Sequence, residues 1–161
     1  MPWKNASHLV LYHGTVDLFQ PSITAQVDLT KGQVMRDFSR GFYTTTNAAQ
    51  AMTHARNLRH RLRPQGAQRG AVARFVIDRD AIGALSHLAF VEPTADFWDL
   101  IDWCRAGMRS HHTAGYYDVV YGPVTEDYRN RTTHARYDQV SFHTPGAVKM
   151  LGVPQQWSVV P

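Results

Sequence analysis

The sequence predicts an α+β fold with mixed or antiparallel sheets, and three observations carry that prediction. Seven short apolar or β-branched runs outnumber three segments with helical spacing. Strand-like and helical runs do not alternate strictly, as a doubly wound parallel sheet would require. At 161 residues the chain has the length over which one hydrophobic core is usually built, so a single domain over residues 1–161 is expected.

Leu9 to Tyr12 is a short apolar run closed by His13-Gly14-Thr15, a strand entering a tight turn. Polar, irregular sequence follows from Asp17 to Arg40. Phe42 to Thr45 is aromatic and β-branched, the composition of a second strand. Asn47 then offers an N-cap, with Gln50 completing a capping box. Ala48, Ala51, Met52, Ala55, Leu58 and Leu62 recur at helical spacing until Pro64 and Gly66 stop the helix.

Ala71 to Ile77 alternates and reads as a strand, and His87 to Val91 as a shorter one. Thr94 caps a helix whose Phe97, Leu100, Ile101 and Cys104 share a face, flanked by Trp98 and Trp103 and ended by Gly107. Tyr117 to Tyr121 is strand-like and stops at Gly122-Pro123. A polar loop from Thr125 to Arg136 leads to a strand at Val140 to Phe142. Thr144-Pro145 opens a short helix, and Trp157 to Val160 adds a last strand.

Cys104 is the single cysteine and has no internal bridging partner, which suits a reducing compartment: the cytoplasm of the producing cell or of a target cell. No apolar run approaches the ~18 residues that span a bilayer, and Met1 to Ser7 lacks the apolar core of a signal peptide, so no membrane partner is expected. The formal charge of +4 favours an anionic ligand or partner. Arg56, Arg59, Arg61, Arg63, Arg69, Arg74 and Arg79 lie close together with Asp78 the only acid among them. A solvated helix face and a nucleic-acid or pyrophosphate footprint both fit that cluster.

Three pieces suggest chemistry: Tyr12 to Thr15, Arg36 to Thr45, and Tyr137 to Phe142. In this order, with a helix after the second, they resemble the ADP-ribosyltransferase superfamily, in its branch with a His-Tyr-Glu triad typified by diphtheria toxin and the poly(ADP-ribose) polymerases. The chain is most similar to an uncharacterised bacterial subfamily of that branch. Its members share a His-Gly-Thr turn, an Asp-Phe-Gly-x-Gly-Phe-Tyr segment, a Tyr-Asp-x-Val-x-Gly-Pro-Val strand and a Tyr-Asp-Gln-x-Ser-Phe-His ending. These stand here as His13 to Thr15, Asp37 to Tyr43, Tyr117 to Val124 and Tyr137 to His143, with Ser39 where the motif has glycine.

The resemblance implies a split mixed or antiparallel β-sheet core with flanking helices. It also implies NAD+ as co-substrate and transfer of its ADP-ribose to a macromolecular acceptor, nucleic acid or protein, with release of nicotinamide. Cleaving the nicotinamide–ribose bond builds oxocarbenium character, so a site must hold the leaving group and stabilise a flattened ribose. By resemblance His13 hydrogen-bonds the adenosine ribose and the Gly14 backbone pairs with the nicotinamide amide, supported by Thr15. Tyr43 gives the nicotinamide ring a flat face. Arg36 or Arg40 reaches the pyrophosphate, and Phe38, Gly41 and Phe42 complete the dinucleotide-binding segment.

Gln139 falls where the triad has glutamate. A glutamine oxygen still accepts from the nicotinamide-ribose 2′-hydroxyl, without charge and so about half as strongly. Chain elongation is therefore not expected; mono-transfer or slow NAD+ hydrolysis is, and replacement by Glu would keep the shape and add charge. His13, Tyr43 and Gln139 are thus the expected catalytic residues. Glu126 or Asp138 offers a replacement charge, and alternation puts Asp138 on the other sheet face from Gln139. Glu126, Asp127, Tyr128 and Arg129 make the loop before the last core strand a candidate target loop. Such domains serve as bacterial toxins or effectors, which adds an antitoxin or immunity protein to the expected partners. An NAD- or nucleic-acid-binding module with weak or lost catalysis is the alternative. No metal is expected, because His-Glu-x-x-His and cysteine pairs are absent and His111-His112 are adjacent.

Overall fold

A computed structural model describes residues 7–161, so the chain start, over which the absence of a signal peptide was expected, lies outside the described residues. The chain divides into two compact units. Among the described residues the first holds 7–27, 44–82 and 150–161, and the second 28–43 and 83–149.

The first unit is organised by strand β1 (His8–Val16), which pairs antiparallel with β3 (Gly70–Asp78). β3 pairs in turn with β7 (Gln156–Val160), giving the order β1-β3-β7. β1 runs straight through His13-Gly14-Thr15, whose Cα partners are Ala73, Val72 and Ala71, so the expected turn is a strand. The glycine signals close packing instead of a bend. A Cβ on Gly14 would stand 2.1 Å from the Ala51 carbonyl oxygen of the helix crossing it.

That helix, α2 (Ala48–Leu62), follows the short α1 (Gln20–Ala25) in chain order. Its expected stripe is narrower in the structure: Ala51 and Ala55 are buried against Val72 and Val160, small residues that let helix and sheet approach closely, whereas Ala48, Leu58 and Leu62 are half-buried and Met52 is exposed. Asn47 Oδ1 accepts from the Gln50 N–H at 3.1 Å. The reciprocal half of the capping box is rerouted. Thr45 Oγ1 accepts the Asn47 N–H at 3.0 Å and donates to Gln50 Oε1 at 2.9 Å, so Thr45 relays between the two.

The second unit is built on a four-stranded sheet in the order β2-β6-β5-β4, from β2 (Phe42–Thr44), β4 (His87–Ala89), β5 (Val119–Asp127) and β6 (Thr132–Phe142). β4 and β5 are parallel, and β5 and β6 antiparallel. The two sheets make the architecture α+β with mixed and antiparallel pairing. Helix α3 (Arg79–Gly83) precedes β4, and α4 (Ala95–Arg105) follows it.

α4 buries Phe97, Trp98, Ile101 and Cys104. Phe97, Trp98 and Ile101 form a core with Phe38 and Val120, while Trp103 stays exposed. A final helix, α5 (Pro145–Leu151), is started by Thr144, whose hydroxyl also donates to Asp118.

Two strand limits differ from expectation. β5 passes through Gly122-Pro123, because Gly122 admits the Phe38 and Phe97 rings where a Cβ would sit and Pro123 lies at the edge of a register shift where no ladder N–H is needed. The expected loop from Thr125 to Arg136 is mostly hairpin: strand to Asp127, a turn over residues 128–131, then strand from Thr132. No helix among the described residues is long and apolar enough to cross a membrane.

Candidate functional site

In the second unit the densest polar constellation is centred on Asp37, a loop residue only 5% exposed. Its carboxylate accepts the Thr125 N–H at 3.1 Å and the Thr125 hydroxyl at 2.8 Å. It forms an ion pair with Arg105, whose Nε donates at 3.0 Å and whose Nη2 donates more closely still. It also accepts from Gln139 Nε2 at 2.9 Å. A buried carboxylate is tolerated only when its oxygens are matched in this way.

Gln139 reaches Asp37 because β6 places it opposite Gly122, on the face of the sheet that meets Phe38. Asp138 pairs with Pro123 and takes the other face, as alternation predicts. Gln139 Nε2 donates a second bond to the Pro123 carbonyl at 2.9 Å. Both partners are pure acceptors, so the amide orientation follows from chemistry: the NH2 faces Asp37 and Pro123, and Oε1 is the atom left to accept.

The same loop fixes Tyr43. Its hydroxyl donates to the Ser39 carbonyl at 2.6 Å and accepts the Phe38 N–H at 3.0 Å. Burial, and secondarily the charge of Asp37, holds the phenol well above its usual pKa, so it remains a neutral donor. The ring is half-buried against the Phe38 core. Consecutive residues Asp37 and Phe38 thus bind Gln139 and Tyr43, two of the three expected catalytic residues.

Ser39 has φ 66°, the left-handed region that favours glycine, which explains why glycine is usual in the motif at this position. The serine is fully buried, and its Oγ donates to the Met108 carbonyl at 3.1 Å and lies 3.3 Å from Tyr116 Oη.

Two residues without an expected role stand beside this loop. His143 Nδ1 donates to the Arg40 carbonyl at 2.7 Å, and its Nε2 lies 2.7 Å from the Ser141 hydroxyl. His111 Nδ1 accepts the Tyr117 N–H at 3.0 Å, so its Nε2 carries the proton shared with the Phe38 carbonyl at 2.9 Å. Burial pushes the His143 imidazole down to about 3, with His111 adding to the effect, and it lowers His111 as well. The His143 ring occupies the space a Cβ on Gly41 would need, at 2.6 Å, which accounts for that glycine by internal packing. The only sequence signal was the histidine closing the Tyr137 to His143 motif.

The other expected residues of this unit are dispersed in role. Phe38 and Phe42 are buried, Phe38 completely, so Phe38 acts on the site through its backbone. Arg36 is exposed. Arg40 Nε is buried without a hydrogen-bond partner among the described residues. Glu126 is exposed on β5 four positions beyond the Gln139 partner Gly122, on the order of 13 Å at ~3.3 Å per residue. Asp127 accepts the Arg129 and Asn130 N–H groups and closes the hairpin turn. Tyr128 packs on the core under the Arg105 guanidinium, 4.9 Å from the ring centroid. The expected target loop is therefore a structured hairpin tip.

In the first unit Tyr12 and Gly14 face α2, so His13 and the buried Thr15 take the opposite face of β1. Cys104 offers no nucleophile: it is fully buried, and burial pushes its thiol up to about 12.

Residues 9–137 match a protein family described as being of unknown function, DUF3990. The chain belongs to that family. No curated protein and no solved structure matches it.

Proposed function

We propose that this member of the DUF3990 family is an NAD+-dependent mono-ADP-ribosyltransferase, acting as a bacterial toxin or effector on a nucleic-acid or protein acceptor. The observation that carries the proposal is the way Asp37 and Phe38 hold Gln139 and Tyr43. With both amide protons committed, Gln139 presents Oε1 as an acceptor, the capacity needed to hold a ribose 2′-hydroxyl. A neutral, fixed Tyr43 suits a platform for a nicotinamide ring. Two sheets of three and four strands are compatible with the split-sheet core of ADP-ribosyltransferases.

Within this reading the anionic pyrophosphate goes to Arg40 in preference to the exposed Arg36. A buried donor left unmatched costs about 1–3 kcal/mol, which a phosphate oxygen would relieve. In the reaction the bond from ribose C1′ to the nicotinamide nitrogen breaks and nicotinamide leaves with the electron pair. An acceptor nucleophile forms the new bond to C1′ and loses its proton to solvent or a nearby base.

Incubation with labelled NAD+ and a cell lysate, followed by nuclease or protease digestion, tests the proposal. Label that enters a macromolecule with wild type and not with Gln139→Ala supports it. NAD+ binding with neither transfer nor nicotinamide release would replace it with a binding module.

A further inference from the structure

The net positive charge of this chain lies in one of its units. Among its described residues the first unit holds seven of the 17 Lys and Arg residues but only three of the 13 Asp and Glu, an excess as large as the formal +4 of the whole chain. Between Phe38 and Ile77 there are seven arginines and no carboxylate.

The unit's three acids are turned to other work. Asp17 accepts the Leu18 and Gln68 N–H groups, and Asp78 accepts those of Asp80 and Ala81. Asp80 lies in α3, in the turn that Asp78 caps. Both ion pairs found among the described residues, Arg105–Asp37 and Arg131–Asp102, belong to the second unit.

Arg56, Arg59 and His60 on α2, and Arg63 at its C-cap in helical backbone conformation, stand at i, i+3, i+4 and i+7, one face of the helix beside the buried Ala51–Ala55 stripe. They run ~10 Å along the axis at ~1.5 Å per residue. With Pro161 at the end of β7 they line a groove of about 270 Å³. A solvated helix face normally interleaves charges of both signs for i,i+4 support, and α2 contains no acid. An unneutralised row of guanidinium groups along a groove is complementary to a regularly spaced polyanion.

We propose that this groove docks the phosphodiester backbone of a nucleic acid. No Phe, Tyr or Trp lines it, and contacts from guanidinium groups to phosphate oxygens carry no sequence information, so docking through the backbone is sequence-independent. The inference deepens the functional reading above by naming nucleic acid as the acceptor class, and it rests on that reading only for that step.

The test measures binding of a labelled mixed-sequence duplex and of a single strand of the same length from about 50 to 200 mM salt, without NAD+. For the duplex, three arginine contacts predict a slope of log K against log salt near −2.7, at about −0.9 per contact. Arg59→Glu with Arg63→Glu should weaken binding more than tenfold and flatten the slope by about 1.8. The Arg59→Gln, Arg63→Gln pair, with its fold verified by circular dichroism, should give a smaller loss of the same kind. A wild-type slope near zero, or polyglutamate competing as well as the oligonucleotide, overturns the proposal. Nicotinamide release should be unchanged in both variants. A wild type that binds the duplex yet releases no nicotinamide would overturn the catalytic reading and leave the docking surface standing.

Discussion

Gln139 and Asp37, 102 positions apart in sequence, meet through a 2.9 Å hydrogen bond from Nε2 to Oδ2. The pairing gives the glutamine at this position a physical reason. Asp37 already supplies the negative charge and Pro123 a second acceptor, so the site requires two donors from residue 139. A glutamate there would set two carboxylates against each other and leave the Pro123 carbonyl unmatched.

For Gln139 two substitutions separate the roles. Gln139→Ala removes the acceptor and should lower transfer about a hundredfold at saturating NAD+, roughly 2.7 kcal/mol of transition-state stabilisation. Gln139→Glu, which by shape alone looks conservative, should lower the melting temperature and fall below wild type in nicotinamide release at neutral pH. It should recover part of both at lower pH, where the new carboxyl binds a proton and regains a donor. A Glu variant as stable as wild type would show that the Asp37 contact is not strong.

Tyr43→Ala should weaken NAD+ binding and transfer at least tenfold. Tyr43→Phe keeps the ring but strips the partners from the Phe38 N–H and the Ser39 carbonyl, costing about 1–3 kcal/mol of stability. Its NAD+ affinity, measured where the variant is fully folded, should stay near wild type. Equal loss of affinity in both variants would assign the effect to the hydroxyl.

At position 39 the usual order of tolerance should invert. Ser39→Ala retains the strained φ of 66° and loses the Oγ bonds, so it should cost about 1–3 kcal/mol in urea unfolding. Ser39→Gly loses the same bonds but relieves about 1–2 kcal/mol of left-handed strain, and should be the more stable of the two.

Stability should fall with acid in a window set by the buried imidazoles. The folded pKa of His143 is depressed to about 3, against ~6.5 in the unfolded chain. Between those values the unfolded chain binds a proton that the folded chain refuses. Above pH ~6.5 the group costs nothing; as pH falls toward 3, stability drops by ~1.4 kcal/mol per unit for this residue, and His111 acts in the same direction. Urea midpoints from pH 7 to 4 measure the slope, and His143→Gln should flatten it.

The sequence by itself determined the local elements. The Ala51–Ala55 stripe and Asn47 cap set α2, alternation set β3, and the period of two put Asp138 and Gln139 on opposite faces, because each is a repulsion or match between near neighbours in the chain. The tertiary structure alone decided what the glycines and polar residues are for. Gly14 is a crossing point for α2 and not a turn, and Gly41 makes room for His143. Ser39 takes a glycine conformation held by Met108, and Asp37 gathers Arg105, Thr125 and Gln139. Those partners lie tens of residues apart, so no periodicity records them. A buried donor and acceptor find each other only when the strands that carry them are paired and water is excluded.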